Sequence, residues 1–125
     1  MTTSELQVAV RKLGTTAVID LIGDVNASAD GALSEAYAQA TGDAVRAIAL
    51  NFEAVQYINS TGIALIVGLL AQARTNRIEM KAFGLSDHYR EIFEITRLAD
   101  FMTIADNEHS ALGTSLRAPE GSTDA

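Results

Sequence analysis

Apolar residues alternate with exposed-type neighbours at the start of the chain, at Leu6, Val8 and Val10. A period of two predicts an edge strand with one face open to solvent. Gly14 marks a turn, and Thr15 to Gly23 reads as a second strand through Val18, Ile19, Leu21 and Ile22. Asp24 to Asp30 is polar and small. Asp30 is then a candidate cap for a helix whose apolar positions are Leu33, Ala36, Tyr37 and Ala40, with Gly42 and Asp43 ending it.

Val45 to Phe52 is nearly continuous in apolar residues, the pattern of a central strand covered on both faces. Val55 to Asn59 carries the crossing onward, and Ser60-Thr61-Gly62 opens a second helix that ends near Arg74. Ile78 to Phe83 predicts another strand, closed by Gly84. Ser86 or Asp87 caps a third helix bearing Tyr89, Ile92, Phe93 and Leu98. A short strand, Phe101 to Ala105, and a helix from Asn107 to Leu116 complete the series.

Strands alternating with helices after an initial hairpin imply an α/β fold, a mixed sheet of about five strands packed by about four helices. The chain of 125 residues fits one domain over residues 1–116, followed by a flexible tail at 117–125 that holds the only proline.

Composition narrows the function. Hydrophobic residues make up 48% of the chain, enough for a core, while aromatics are only 6%, a poor supply of stacking surface for bases. A net charge of -7 repels nucleic-acid backbones and anionic lipid, so direct nucleic-acid binding is not expected. Without cysteine there are no disulfides or thiolate metal sites. Met1 to Gln7 lacks a signal-peptide pattern, and the longest apolar run, Ile63 to Ala71, is too short to span a bilayer. A cytoplasmic protein with no membrane insertion is expected.

The stretch Tyr57-Ile58-Asn59-Ser60-Thr61-Gly62-Ile63 carries the most chemistry. A buried strand delivers two hydroxyl residues to a helix N-terminus, where free N–H groups and the helix dipole accommodate an anion. Ser60 can serve simply as the helix cap, a common serine role, or as a phosphate acceptor; the two are compatible. In the helix itself, Ile63, Ile66, Val67 and Leu70 form one stripe suited to the sheet. Leu65 and Leu69, flanked by Ala64 and Gly68, form a second apolar face available to a partner.

Other constellations carry less. His88 and His109 have no companion at metal-ligand spacing and read as solvated helix positions, so no metal or other cofactor is expected. Glu53 reads as a solvated loop acid, and Arg90 with Glu94 as a helix-surface pair. No Gly-x-Ser-x-Gly elbow or Gly-rich phosphate loop is present, and a hydrolase built on Ser60 lacks an oxyanion motif. A binding module is expected rather than an enzyme.

The order of elements, Ile48-Ala49-Leu50-Asn51-Phe52, the Asn59-to-Ile63 turn, Gly23-Asp24-Val25 upstream and the Ser86-Asp87 to Leu98 helix together resemble the STAS domain. Within that fold the chain is most similar to the bacterial anti-sigma-factor antagonists. The resemblance implies partner switching: the dephosphorylated antagonist binds a GHKL-type serine kinase and thereby frees a sigma factor. Phosphorylation ends the contact, and a PP2C-type phosphatase resets it. Ser60 matches the phosphorylated hydroxyl, and Thr61 follows it as a candidate second acceptor. The implied contact surface comprises Asp24, Asn26, Asn59, Ser60, Thr61, Gly62, Leu65, Gly68 and Leu69.

Asn59 stands where the family usually has Asp, and Asn26 replaces the last acid of its upstream motif. Losing two carboxylates reduces local repulsion of a phosphate and takes away groups available to a kinase for alignment, so the expectation is a divergent member with an unusual kinase, or one phosphorylated slowly or not at all. The alternative is an unphosphorylated scaffolding STAS protein of a stressosome-like or lipid-transport complex.

Overall fold

The computed structural model describes residues 5–42 and 44–116, the side chains of 114–116 excepted. The expected helix stop at Asp43 and the expected tail 117–125 lie outside the described residues.

Strand β1 (Gln7–Leu13) and strand β2 (Thr16–Val25) form an antiparallel hairpin. Gly14 turns it with φ +68°, a left-handed conformation that favours glycine. Helix α1 (Asp30–Ala40) leads to strand β3 (Ala47–Ile58), and helix α2 (Ser60–Thr75) leads to strand β4 (Glu79–Phe83). Helix α3 (Asp87–Ile95) precedes strand β5 (Thr103–Ala105), and helix α4 (Glu108–Leu116) follows it. The sheet order is β1-β2-β3-β4-β5, and every pair after the hairpin is parallel. The mixed sheet read from the sequence is present.

Side-chain alternation divides the sheet into two faces. Ala17, Ile19 and Leu21 of β2, Ile48, Leu50 and Phe52 of β3, and Met80 and Ala82 of β4 belong to the main core. Leu33, Ala36, Tyr37 and Ala40 of α1 join them, at the spacing the sequence predicts, with Ile66, Leu69, Leu70 and Ala73 of α2 and Phe93 of α3. Phe52 and Phe93 meet edge to face at 5.8 Å between ring centroids. The opposite face holds a smaller cluster, Val18, Ala49 and Phe83, covered by Ala111 of α4.

Under α4 the structure places two polar devices that the sequence did not announce. Lys81 is fully buried, its Nζ donating to the Ala111 carbonyl at 2.8 Å, and burial pushes its ammonium below the ordinary lysine pKa. Arg11 donates to Asp20 and, with two further N–H groups, to both carboxylate oxygens of Glu108; Asn51 Nδ2 adds a bond to Asp20 at 2.8 Å. These contacts tie β1, β2, β3 and α4 together.

Several local expectations need correction. Asp30 caps nothing: it is the first residue of α1, whose N-cap Ala29 has no side-chain bond. The capping chemistry sits earlier, where Asn26 Oδ1 accepts from the Ser28 N–H and hydroxyl and shapes the 3-10 turn Ala27–Ala29. Glu53 lies within β3 rather than in a loop. Leu98 is buried but belongs to a 3-10 turn after α3. Arg90 reaches across to Asp106 at 2.8 Å instead of pairing with Glu94.

Candidate functional site

The candidate site lies where β2 and β3 end and α2 begins, at the carboxyl ends of parallel strands. β4 accompanies β3 only as far as the Asn51–Phe83 pair, so the last turn of β3 has a sheet partner on one side alone. The Tyr89 hydroxyl of α3 takes the freed Ile58 N–H at 2.9 Å. One residue later the Asn59 N–H reaches the Val25 carbonyl at 3.2 Å, which fixes the start of α2 against the end of β2.

Gly62 makes this approach possible. A Cβ at that position would collide with the Val25 carbonyl oxygen, so only glycine lets the first turn of α2 sit there.

Asn59 is the N-cap of α2, not Ser60. It is extended, and its side-chain oxygen accepts the Gly62 N–H at 2.8 Å while its carbonyl accepts the Ile63 N–H at 2.9 Å. Ser60 and Thr61 are therefore the first two helical residues. Both are exposed, and among the described residues neither hydroxyl makes a hydrogen bond. Their backbone N–H groups precede the first intrahelical bond, and no acidic side chain occupies the first turn. An anion on Ser60 would meet the positive end of the helix dipole.

Asp24 pairs with Tyr57 and Val25 with Ile58 in the β2–β3 register, so Asp24 and Asn26 flank the same strand ends as Ser60. Asp24 and Asn26 are half-buried, while Tyr57 is exposed. The structure thus brings Asp24, Asn26, Asn59, Ser60, Thr61 and Gly62 to one end of the sheet.

The far part of the expected surface is rearranged. Leu69 is turned into the core at 4% exposure, and Leu65 is half-buried against that core. Val67, assigned by the sequence pattern to the packing stripe, is 47% exposed. The contact of Gly62 with Val25 fixes the rotation of α2, and the buried stripe then runs through Gly62, Ile66, Leu69, Leu70 and Ala73. Ala64, Val67, Gly68 and Ala71 face outward with Ser60, and beyond Gly68 there is open space. Asn59 as cap was legible in principle, since Asn three residues before Gly62 satisfies the capping pattern as well as Ser60 does. The Tyr89 bond to β3 left no signal in the sequence.

The family model described as "STAS domain" matches residues 7–111. An anti-sigma-B factor antagonist of Staphylococcus aureus is 42% identical over 62 residues, which are 50% of this chain and 57% of that protein's length. The chain thus spans only somewhat more than half of the curated relative it matches. An anti-sigma factor antagonist from Mycobacterium paratuberculosis superposes with TM-score 0.74 at 14% identity, covering 90% of this chain and 96% of that one. The Bacillus cell fate determinant SpoIIAA in its phosphorylated form gives TM-score 0.62 at 23% identity, covering 87% and 99%. At these identities the solved structures share the fold. Among the described residues no helix is long and apolar enough to cross a membrane.

Proposed function

The chain belongs to the STAS-domain family, and from that premise we propose that it is an anti-sigma factor antagonist switched by phosphorylation of Ser60. The observation that carries the reading is the division of labour at the start of α2. Asn59 caps the helix, so the Ser60 hydroxyl stands exposed and uncommitted at its first position. A protein named as an antagonist supplies the sequence match, and a protein of the same fold is known in a phosphorylated form.

In the unmodified state the exposed surface of Ser60, Thr61, Ala64 and Gly68, with Asp24 and Asn26 beside it, docks on a GHKL-type serine kinase that otherwise holds a sigma factor. Within that complex the Ser60 oxygen attacks the γ-phosphoryl group of ATP. The hydroxyl proton passes to the kinase's base, and ADP leaves. The product carries roughly -1.5 to -2 added charges at the centre of the contact. Desolvating that charge by ~3 kcal/mol lowers affinity about a hundredfold. A PP2C-type phosphatase hydrolyses the ester and restores the hydroxyl. The chain acts as a binding module, and the catalysts are its partners.

A constitutive scaffold is the second reading, and one observation favours it. At the two positions where the family usually has a carboxylate stand Asn26 and Asn59, uncharged amides whose oxygens are engaged in capping. Incubation with the anti-sigma kinase and ATP, followed by mass spectrometry, separates the two. The switch requires a single phosphate on Ser60, at a slow rate, and none on Ser60→Ala. Modification elsewhere, or equal kinase binding by wild type and Ser60→Asp, would favour the scaffold.

A further inference from the structure

Among the described residues six large hydrophobic side chains are exposed, and three of them gather on one flank: Val67 on α2, Ile95 at the end of α3, and Phe101 beyond it. Val67 and Phe101 border an open groove of about 910 Å³ between α2, β4 and the connection from α3 to β5. Leu70, Met80, Leu98 and Met102 supply much of its floor. Ile95, 70% exposed, immediately precedes Thr96 on the groove wall. A monomer gains nothing by leaving such side chains together in water.

The charges around the groove divide by element. The Arg74 guanidinium lies over the Phe101 ring at 5.5 Å and has no carboxylate partner among the described residues. Arg97 is held by Asp100 at 2.6 Å, and Glu79 adds one acid to the lining. The exposed side of α3 that carries Ile95 is acidic, with Glu91 one turn earlier and Asp87 and Glu94 beside it. An apolar knob with an acidic surround thus stands next to an apolar groove whose rim carries an unpaired arginine. A two-fold axis beside them would place each knob in the other copy's groove.

We propose that the groove between α2 and the α3–β5 connection receives Ile95 of a second copy of this chain, in an isologous dimer with Arg74 facing Glu91. The contact is small, so the dimer is weak and concentration-dependent. It abuts the far end of the proposed kinase-docking surface, since Val67 on the groove border adjoins Gly68, but it stays clear of Ser60 itself. Ser60 lies fourteen residues before Arg74 on α2, about 21 Å away along the helix axis.

Sedimentation equilibrium of the full chain over about 5 to 500 µM tests this, since contacts of this size are transient. A monomer–dimer equilibrium is expected. Arg74→Glu, Glu91→Arg and Ile95→Glu should each weaken it by about a hundredfold, because the two-fold axis repeats each lost contact and every one is worth ~1.4 kcal/mol. An equimolar mixture of Arg74→Glu and Glu91→Arg should recover it, because the heterodimer restores both opposite-charge contacts. Ile22→Ser, an exposed apolar change outside the groove, should leave it unchanged, and circular-dichroism melts confirm that all variants fold. A monomer at every concentration would overturn the proposal. So would a dimer that ignores the charge reversals or is not recovered by mixing.

Discussion

The side-chain oxygen of Asn59 accepts the Gly62 N–H at 2.8 Å, and the hydroxyl of the intervening Ser60 has no hydrogen-bond partner among the described residues. An amide caps as well as a carboxylate does, so an Asn at this position keeps the helix start without placing a charge beside the Ser60 hydroxyl. Asn59→Ala should cost about 1 kcal/mol in urea unfolding. Asn59→Asp should hold or slightly raise stability, because a carboxylate at a helix N-terminus is favourable by about 0.3–1 kcal/mol. It should also speed phosphorylation of Ser60 if the missing carboxylate aligns the kinase.

Gly68 and Leu69 are neighbours in sequence with opposite environments, the first open to solvent and the second buried. Gly68→Arg should leave the melting temperature near wild type and abolish kinase binding. Leu69→Ala should lose about 2–5 kcal/mol of stability, and Leu69→Arg should not fold. Thermal melts with a binding assay on the folded variants check both.

Lys81 makes stability depend on alkaline pH. Its pKa in the folded protein lies below the ordinary 10.5 because burial disfavours the ammonium. Between that lowered value and 10.5 the unfolded chain binds more protons, so stability should rise with pH across the window and be flat below it. Lys81→Met should abolish the slope. It should also stay within about 1–3 kcal/mol of wild type at neutral pH, because loss of the buried charge offsets the lost hydrogen bond to the Ala111 carbonyl.

Arg11 makes α4 sensitive to acid. Its hydrogen bonds hold the Asp20 and Glu108 carboxyls below their ordinary values of 3.8 and 4.5. The stability they contribute is present above those values and is lost as pH falls through the lowered folded ones. The hydrogen-exchange protection factors of the α4 amides should fall below about pH 4, before those of the core strands. Arg11→Ala should show fast α4 exchange already at pH 7.

The order of elements was legible because β2 and β3 carry apolar runs bounded by turn residues and α1 a clean helical period: Leu33, Ala36, Tyr37 and Ala40 all reach the core. The site's position was legible too, since Asn59-Ser60-Thr61-Gly62 marks the strand-to-helix turn. The rotation of α2 was not. Its run Ile63 to Ala71 is apolar on nearly every side, so periodicity alone cannot choose between Val67 and Leu69. The choice is made by the contact of Gly62 with Val25, thirty-seven residues earlier. Lys81 escaped notice for a related reason: a lysine inside a strand reads as solvent-facing until α4 is found to cover it.

The most direct measurement is the affinity of the unmodified protein and of its Ser60-phosphorylated form for the anti-sigma kinase, by calorimetry under identical conditions. An antagonist switched at Ser60 binds in the unmodified state and loses about a hundredfold on phosphorylation, equivalent to ~3 kcal/mol. Equal affinities for the two forms would contradict the switch and leave Ser60 as an exposed residue of a constitutive contact.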